Sequence, residues 1–238
     1  MKFAKVGTER REAQRGVSGT CPVCGAAVIP RCGKVRIEHW AHKGTLTCDR
    51  WWESETEWHR AWKNQFPKAW QEVHHTASDG EKHIADVKTE RGYIECQHSA
   101  LSLEERASRE DFYPNLAWVV HGRRLALDLE RFKKALNSAV VLLDVPRIVA
   151  VQSDCCPLVR NWSTSRVPVY FDFGENEPDG VLFRLNPGGR DGWSYLLVMG
   201  KDLFLQGHLE GQHHLEEECA QTMARAVEHH ARMMRGWR

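Results

Sequence analysis

The chain has 238 residues, of which 42% are hydrophobic and 27% are charged, and its formal net charge is +1 at pH 7. These values are typical of a globular protein and exclude an acidic mimic or a tail that binds nucleic acid through bulk charge. The sequence contains no run of eighteen apolar residues and no apolar segment near its start. We therefore expect a soluble, cytoplasmic protein without a signal peptide or a membrane partner.

The N-terminal fifty residues combine a basic segment with clustered cysteines and histidines. Residues 1–19 are polar and basic, which predicts a mobile or loosely docked arm. Residues 20–50 show little periodicity but contain six potential metal ligands, namely Cys21, Cys24, Cys32, His39, His42 and Cys48. In a reducing cytosol, such clustering favours a metal site over disulfides.

The CxxC spacing in "CPVCG" lets two thiolates reach one ion, as in structural zinc sites. The preferred zinc ligands are the side chains of Cys21, Cys24, His42 and Cys48. His39 is the alternate to His42, and Cys32 is a weaker candidate. A set of reduced cysteines or a redox pair is the alternative interpretation. DNA contact by this module stays open because basic residues lie nearby, namely Arg31, Lys34, Arg36 and Lys43.

From residue 52 the pattern predicts a helix followed by three strands. "WESETEWHRAWKNQF" places Trp58, Trp62 and Phe66 on one helical face, and Pro67 ends the helix. The extended stretches "AWQEVHH", "KHIADVKT" and "YIECQHS" follow, separated by the turn-forming segments "SDGE" and "ERG".

A second helix and a further strand complete this region. Ser102 and Glu105 form a capping box that opens a helix over about 103–113, and "LAWVVHG" is a short buried strand. Residues 52–121 therefore have the predicted order α-β-β-β-α-β. Beyond them we expect a helix in "LALDLERFKKALNSA", a polar helix over about 212–235, and five strands between these helices, in "VVLLDV", "RIVAVQ", "VPVYFDF", "VLFRL" and "SYLLVMG".

Two acids on neighbouring predicted strands share a face. If the turn is centred between Glu90 and Arg91, Asp86 lies directly opposite Glu95, and Gln97 lies one diagonal step away. Two carboxylates roughly 5 Å apart repel one another unless a cation or a proton lies between them. Oxygen ligands of this kind suit Mg²⁺ or Mn²⁺. Two solvated acids on a surface hairpin are the alternative interpretation.

The preceding helix offers a third acid. Glu55, His59 and Lys63 recur every four residues and form a polar stripe next to the apolar face. This stripe would border the core, where a site can form.

Five short motifs occur in one order over about residues 20–121: "HWAH", "ETEWHRAWK", "ADV", "IECQHSALS" and "SREDFY". In this order they resemble the competence protein CoiA-like family, which belongs to the PD-(D/E)XK nuclease-like superfamily. The resemblance implies an α/β fold with a restriction-endonuclease-like αβββαβ core at 51–138. This core would follow an N-terminal arm and zinc-binding module at 1–50 and precede a β-rich plus helix extension at 139–238.

The resemblance also implies roles for individual residues. Asp86 and Glu95 would be the magnesium ligands, Glu55 the helix acid, and Gln97 the group that replaces the usual Lys of the superfamily. The implied substrate contacts are Lys63, His83 and Arg109, although Arg109 and Tyr113 fit a bracing role better.

The implied activity is hydrolysis of phosphodiester bonds by a Mg²⁺- or Mn²⁺-dependent nuclease, with DNA as the substrate. Its context would be DNA uptake, processing or mobile-element defence. Gln97 carries no charge and so stabilises developing charge on phosphate less well than Lys. A catalytically inactive zinc-containing DNA-binding protein is therefore the alternative, and a partner-binding domain with surface acids is a third. The C-terminal region is the expected surface for a partner protein or a homodimer.

Overall fold

The computed structural model describes residues 1–33, 36–44, 48–51, 53–78, 80–174, 180–211 and 213–235, with the backbone alone for 213–216. Lys34, one of the basic residues considered for DNA contact, lies outside the described residues. The chain forms two compact units, residues 1–88 and residues 89–238. No helix in the described ranges combines the length and the apolar character that a membrane crossing needs.

The first unit begins with a five-stranded antiparallel sheet, ordered β2-β1-β3-β4-β5. Its strands are β1 (Phe3–Val6), β2 (Glu9–Glu12), β3 (Gly19–Thr20), β4 (Ala27–Arg31) and β5 (His39–His42). A small core cluster lies in this unit and comprises Met1, Ala4, Ala13, Cys21, Val28 and Trp40.

The expectation of a mobile arm over residues 1–19 is wrong. Phe3 and Ala4 are buried, and β1 pairs with β2 through all four residues of each strand. All four residues of β2 are exposed, so backbone pairing rather than apolar burial forms this strand. Backbone pairing leaves no hydrophobic periodicity in the sequence, which is why the strand was not predicted.

Helix α1 (Glu57–Asn64) begins later than its predicted start at residue 52. The hydroxyl of Thr56 accepts a hydrogen bond from the His59 N–H at 3.2 Å and caps the helix. Glu55 therefore precedes the helix, and its placement on the helical stripe was wrong. The predicted apolar face is present, because Trp62 and Phe66 are buried.

A short 3₁₀ turn (Lys68–Trp70) leads into β6 (Gln71–Thr76), which pairs antiparallel with β7 (Lys82–Lys88). Burial along β7 alternates: one face carries the buried His83, Ala85 and Val87, and the other carries the partly exposed Ile84 and Asp86. Both strands agree with the extended segments expected from the sequence.

Among the described residues, the second unit contains seven strands in the order β10-β11-β14-β13-β12-β9-β8. They are β8 (Tyr93–Gln97), β9 (Leu116–His121), β10 (Val140–Leu143), β11 (Ile148–Gln152), β12 (Val169–Asp172), β13 (Val181–Leu185) and β14 (Trp193–Gly200). Strands β8, β9 and β12 run parallel, and the other pairs are antiparallel. The fold is therefore α/β with mixed strand directions.

The described part of this unit contains five helices: α2 (Leu103–Phe112), α3 (Asp128–Asn137), α4 (Pro157–Trp162), α5 (Lys201–Leu209) and α6 (His213–Arg235). The capping box is confirmed, because the Ser102 hydroxyl accepts the Glu105 N–H at 3.1 Å. Helices α4 and α5 were not predicted. Helix α4 has six residues, too few to show helical periodicity. Along the chain, α1, β6, β7, β8, α2 and β9 reproduce the predicted α-β-β-β-α-β order.

Trp118 on β9 offers a test of the hydrophobic core of the second unit. Its side chain is fully buried, and its ring centroid lies 5.3 Å from that of Trp162. We expect Trp118→Ala to lower the free energy of unfolding by about 3–5 kcal/mol, because a large cavity replaces the indole. Urea denaturation followed by far-UV circular dichroism measures the change. The exposed Val145→Ala is the control, and an equal effect in both variants would contradict this core assignment.

Candidate functional site

Four side chains of the first unit form a metal-binding cluster. Cys21, Cys24, His42 and Cys48 each place one ligand atom within 4.8 Å of the others. The Cys21 and Cys48 Sγ atoms are 3.8 Å apart, and His42 Nε2 lies 3.3 Å from Cys24 Sγ and 3.4 Å from Cys48 Sγ. A tetrahedral zinc ion with ordinary bond lengths separates two sulfurs by about 3.8 Å and sulfur from nitrogen by about 3.6 Å. The four residues can therefore hold a metal ion such as zinc, as predicted.

A tight turn after β3 brings the first two thiols together. The Cys21 N–H donates to Ala26 O at 2.8 Å, and the Gly25 N–H donates to Cys21 O at 3.0 Å. Gly25 has φ +71°, a left-handed conformation that glycine adopts without strain. Strand β5 supplies His42 from its last position.

The structure distinguishes the preferred zinc ligands from the other candidates, His39 and Cys32. His39 Nδ1 lies 2.8 Å from the Ile37 carbonyl, and His39 is outside the cluster. Residues 39 and 42 are three apart on β5, so their side chains face opposite sides of the strand. Cys32 is also outside the cluster.

The electrostatics of the cluster favour a cation. Burial raises the pKa of Cys48, and the neighbouring Cys21 thiol raises it further. Burial also acts to raise the pKa of Cys24, but the Ala26 backbone and the neighbouring thiols lower it. Burial lowers the pKa of His42, which keeps the imidazole in its neutral, metal-binding form. Crowded thiolates repel one another, and a bound metal ion removes that cost.

A second group of polar residues in the first unit surrounds the buried ammonium of Lys63. Lys63 Nζ lies 2.7 Å from Glu55 Oε1, 2.9 Å from Glu72 Oε1 and 3.8 Å from Asp86 Oδ1. Burial acts to lower the pKa of Lys63, but Glu72, Asp86 and Glu55 raise it. Lys63 therefore stays charged. We call Glu55, Lys63, Glu72 and Asp86 the Lys63 cluster.

Asp86 is the most exposed acid of the Lys63 cluster, with 20% of its side chain exposed against 7% for Glu55 and 9% for Glu72. Its Oδ2 lies 3.0 Å from His59 Nε2. Burial acts to lower the pKa of His59, but Asp86 raises it, so the pair favours an imidazolium beside a carboxylate. Helix α1 thus presents two cationic groups to Asp86.

Glu55 and Glu72 are each fixed by further contacts. Arg60 donates to both Glu55 oxygens, at 3.1 and 2.5 Å. The Glu72 carboxylate accepts the backbone N–H groups of Lys2 and Phe3 at 2.7 and 3.0 Å. The Lys63 cluster is therefore tied to β1 as well as to β6 and β7.

The second unit places the other predicted catalytic residues on β8. Glu95 and Gln97 are buried, and Glu95 Oε2 accepts from Arg109 Nη1 at 3.2 Å. Arg109 also pairs with Glu105 at 2.5 Å. The Gln97 amide donates to the Ser99 carbonyl at 3.2 Å. Convergence of Asp86 with Glu95 on one cation stays a prediction.

The predicted substrate contacts are all buried and engaged by acids. Lys63 lies among three carboxylates, and Arg109 contacts Glu95. His83 Nδ1 lies 2.8 Å from Asp49 Oδ1, and its Nε2 lies 3.1 Å from Glu81 Oε1. Phosphate contact by these three side chains stays a prediction.

Sequence reasoning missed Asp49 and Glu72. Asp49 directly follows the predicted ligand Cys48, and this position in the sequence could have identified it as a residue near the metal-binding cluster. Glu72 has φ 46°, and a left-handed residue inside a strand breaks the alternation from which its direction would be inferred. No sequence pattern therefore points to Glu72.

Substitutions of two ligands, and of two similar residues outside the set, test the metal-binding cluster. We expect about one zinc ion per purified chain, and we expect Cys24→Ser and His42→Ala to lose it. Cys32→Ser and His39→Ala are matched controls that keep the zinc, because they lie outside the cluster. Elemental analysis by mass spectrometry measures the content. Zinc loss in the controls, or its retention in the ligand variants, would overturn the ligand set.

The pH dependence of stability tests Glu72. Burial acts to raise its pKa, but Lys63 lowers it, from 4.5 to about 2. The ionised carboxylate therefore stabilises the folded chain above pH 4.5, and this contribution is lost as the pH falls through 2. We expect Glu72→Gln to remove on the order of 3 kcal/mol at pH 7 and to lose less stability than the wild type as the medium is acidified.

Urea titrations at several pH values measure this difference, and the exposed Glu9→Gln is the control. Any acid-induced loss of zinc acts on both proteins and cancels in the comparison. Parallel stability profiles of wild type and Glu72→Gln would contradict the assignment.

Comparison with known proteins bears on the N-terminal part of the chain. Residues 6–50 match the family model described as competence protein CoiA, N-terminal domain. No curated protein and no solved structure matches the chain. All four side chains of the metal-binding cluster fall within the matched residues. The match confirms the resemblance to the competence protein CoiA-like family for residues 6–50.

Proposed function

We propose that this chain is a divalent-metal-dependent nuclease that hydrolyses phosphodiester bonds in DNA. The CoiA N-terminal domain at residues 6–50 supports a competence-related role, in DNA uptake, processing or mobile-element defence. The observed order α1-β6-β7-β8-α2-β9 supports a restriction-endonuclease-like core of the PD-(D/E)XK superfamily.

The observation that carries the proposal is the environment of Asp86. This carboxylate is partly exposed on β7 while His59 and Lys63 hold it from one side. An acid that is fixed yet accessible is suited to bind a divalent ion, since Mg²⁺ binds through one or two carboxylates plus water and phosphate. Asp86 and Glu95 would hold Mg²⁺ or Mn²⁺, which when bound activates water and stabilises charge on the phosphate.

Other residues of the chain would position these acids and the attacking water. Arg109 fixes the orientation of Glu95 through its contact with Oε2. The Lys63 ammonium contacts both Glu55 and Asp86 and so helps to fix the position of Asp86. The Gln97 amide would orient the attacking water but adds no charge, and the Lys63 ammonium is already engaged by three carboxylates. His83 would act on substrate indirectly, through β7.

The second candidate function is a catalytically inactive, zinc-containing DNA-binding protein. The charge balance favours it: His59 and Lys63 already neutralise Asp86, and Arg109 neutralises Glu95. Binding that weakens with salt, without cleavage at any divalent metal concentration, would support this alternative.

We also propose that the C-terminal region is a surface for a partner protein or a homodimer. Large apolar side chains are exposed on β10 and near the end of α6, namely Val140, Val141, Met233 and Met234. Exposed apolar patches of this kind mark interaction sites in many proteins.

Plasmid nicking tests the nuclease proposal. We expect Mg²⁺- or Mn²⁺-dependent cleavage by the zinc-loaded full chain, and we expect Asp86→Ala to lower the rate at least about a hundredfold while thermal unfolding stays cooperative. The exposed Asp144→Ala is the matched control and keeps the wild-type rate. Full activity in Asp86→Ala would reject the assignment, and parallel assays on single-stranded DNA and RNA define the substrate.

A further inference from the structure

Asp49 directly follows the metal-binding Cys48, and its carboxylate bridges to β7. One oxygen, Oδ1, accepts the Trp51 N–H at 2.9 Å and lies 2.8 Å from His83 Nδ1. The other, Oδ2, accepts the Ile84 N–H at 3.0 Å. A single buried carboxylate therefore joins the loop that follows the metal ligand to two consecutive residues of the strand.

Ring stacking makes the same connection a second time. The Trp51 and His83 rings stack with centroids 3.3 Å apart and planes inclined by 13°. His83 Nε2 also lies 3.1 Å from Glu81 Oε1. The loop at residues 48–51 thus holds the first half of β7 through hydrogen bonds and through an aromatic contact.

Asp86 follows this half of β7 on the same strand. Ile84 and Asp86 share a face and are separated by about 7 Å along the strand. Pairing of β7 with β6 makes the segment stiff, so a shift of the backbone at Ile84 is transmitted to Asp86. The contacts of Asp86 with His59 and Lys63 span only 3.0 and 3.8 Å and tolerate little displacement.

Cys48, at the other end of the loop, belongs to the metal-binding cluster. The core of the N-terminal sheet has few large side chains, and three cysteine thiols and His42 lie at the same place. A small core of this kind gains much of its order from a metal cross-link. Removing the ion would release Cys48 and, with it, the position of Asp49.

We propose that the metal centre positions the strand that carries Asp86, and that Asp49 is the positioning residue that makes this connection. The centre would thus serve the proposed catalytic site rather than contact DNA itself. The consequence for cleavage rests on the proposed nuclease function, whereas the coupling between the metal centre and β7 stands independently of it.

Hydrogen exchange with mass spectrometry on the full chain tests the coupling. We expect chelation of zinc, and separately Asp49→Asn, to accelerate exchange in the peptide that covers β7 by about tenfold, because the Ile84 N–H loses its carboxylate acceptor. Asp49→Asn keeps the side-chain shape but has one acceptor oxygen instead of two, so the contacts with Trp51, His83 and Ile84 cannot all be kept. Asp144→Asn is the control, and the peptide that covers α3 in the second unit is the internal reference.

Unchanged exchange in β7 after zinc removal would overturn the proposal. Equal acceleration in α3 would also overturn it, since that pattern reports loss of the whole fold. An effect of chelation without an effect of Asp49→Asn would remove the role of Asp49.

Metal dependence of cleavage is the functional readout. We expect Asp49→Asn to raise the Mn²⁺ concentration for half-maximal cleavage by about tenfold at unchanged zinc content, the usual effect of losing a residue that orients a ligand. An unchanged Mn²⁺ requirement would contradict the positioning role. If neither protein cleaves but β7 exchange still responds to zinc, the nuclease proposal fails and the coupling stands.

Discussion

The ammonium of Lys63, buried among Glu55, Glu72 and Asp86, is the interaction on which the first unit depends. A lone charge at this depth would be costly, and the three carboxylates around Lys63 offset that cost. The ion pairs join α1, the residue before it, β6 and β7. The backbone N–H groups of Lys2 and Phe3 also donate hydrogen bonds to the Glu72 carboxylate. These ion pairs act together with apolar packing, since Trp62 and Phe66 near α1 and Ala85 and Val87 on β7 are also buried.

Two separate anchors act on β7. The Lys63 cluster engages the strand at Asp86, and the loop after Cys48 engages it at His83 and Ile84. Because the metal centre ends in that loop, the N-terminal module and the proposed catalytic acid form one mechanical system. In the proposed coupling, the segment that matches the CoiA family model therefore influences the position of β7.

Sequence patterns predicted the elements that bury an apolar face or carry a local signal. The strands β6 to β9, the Ser102 cap and the ligand set Cys21, Cys24, His42 and Cys48 all follow from such patterns. The start of α1 was missed because the Thr56 cap outweighed the helical character of the preceding residues. Strands β1 and β2 and the contacts of Glu72 depend on pairing between distant segments and on a left-handed backbone, and neither leaves a trace in local sequence.

Anomalous diffraction from crystals soaked in Mn²⁺ tests the central claim most directly. The account predicts a manganese ion bound by oxygens of both Asp86 and Glu95 at about 2 Å, with zinc in the cysteine and histidine cluster. Manganese absent from these acids while Asp86 stays bound to His59 and Lys63 would contradict the claim, and would identify the acids as structural.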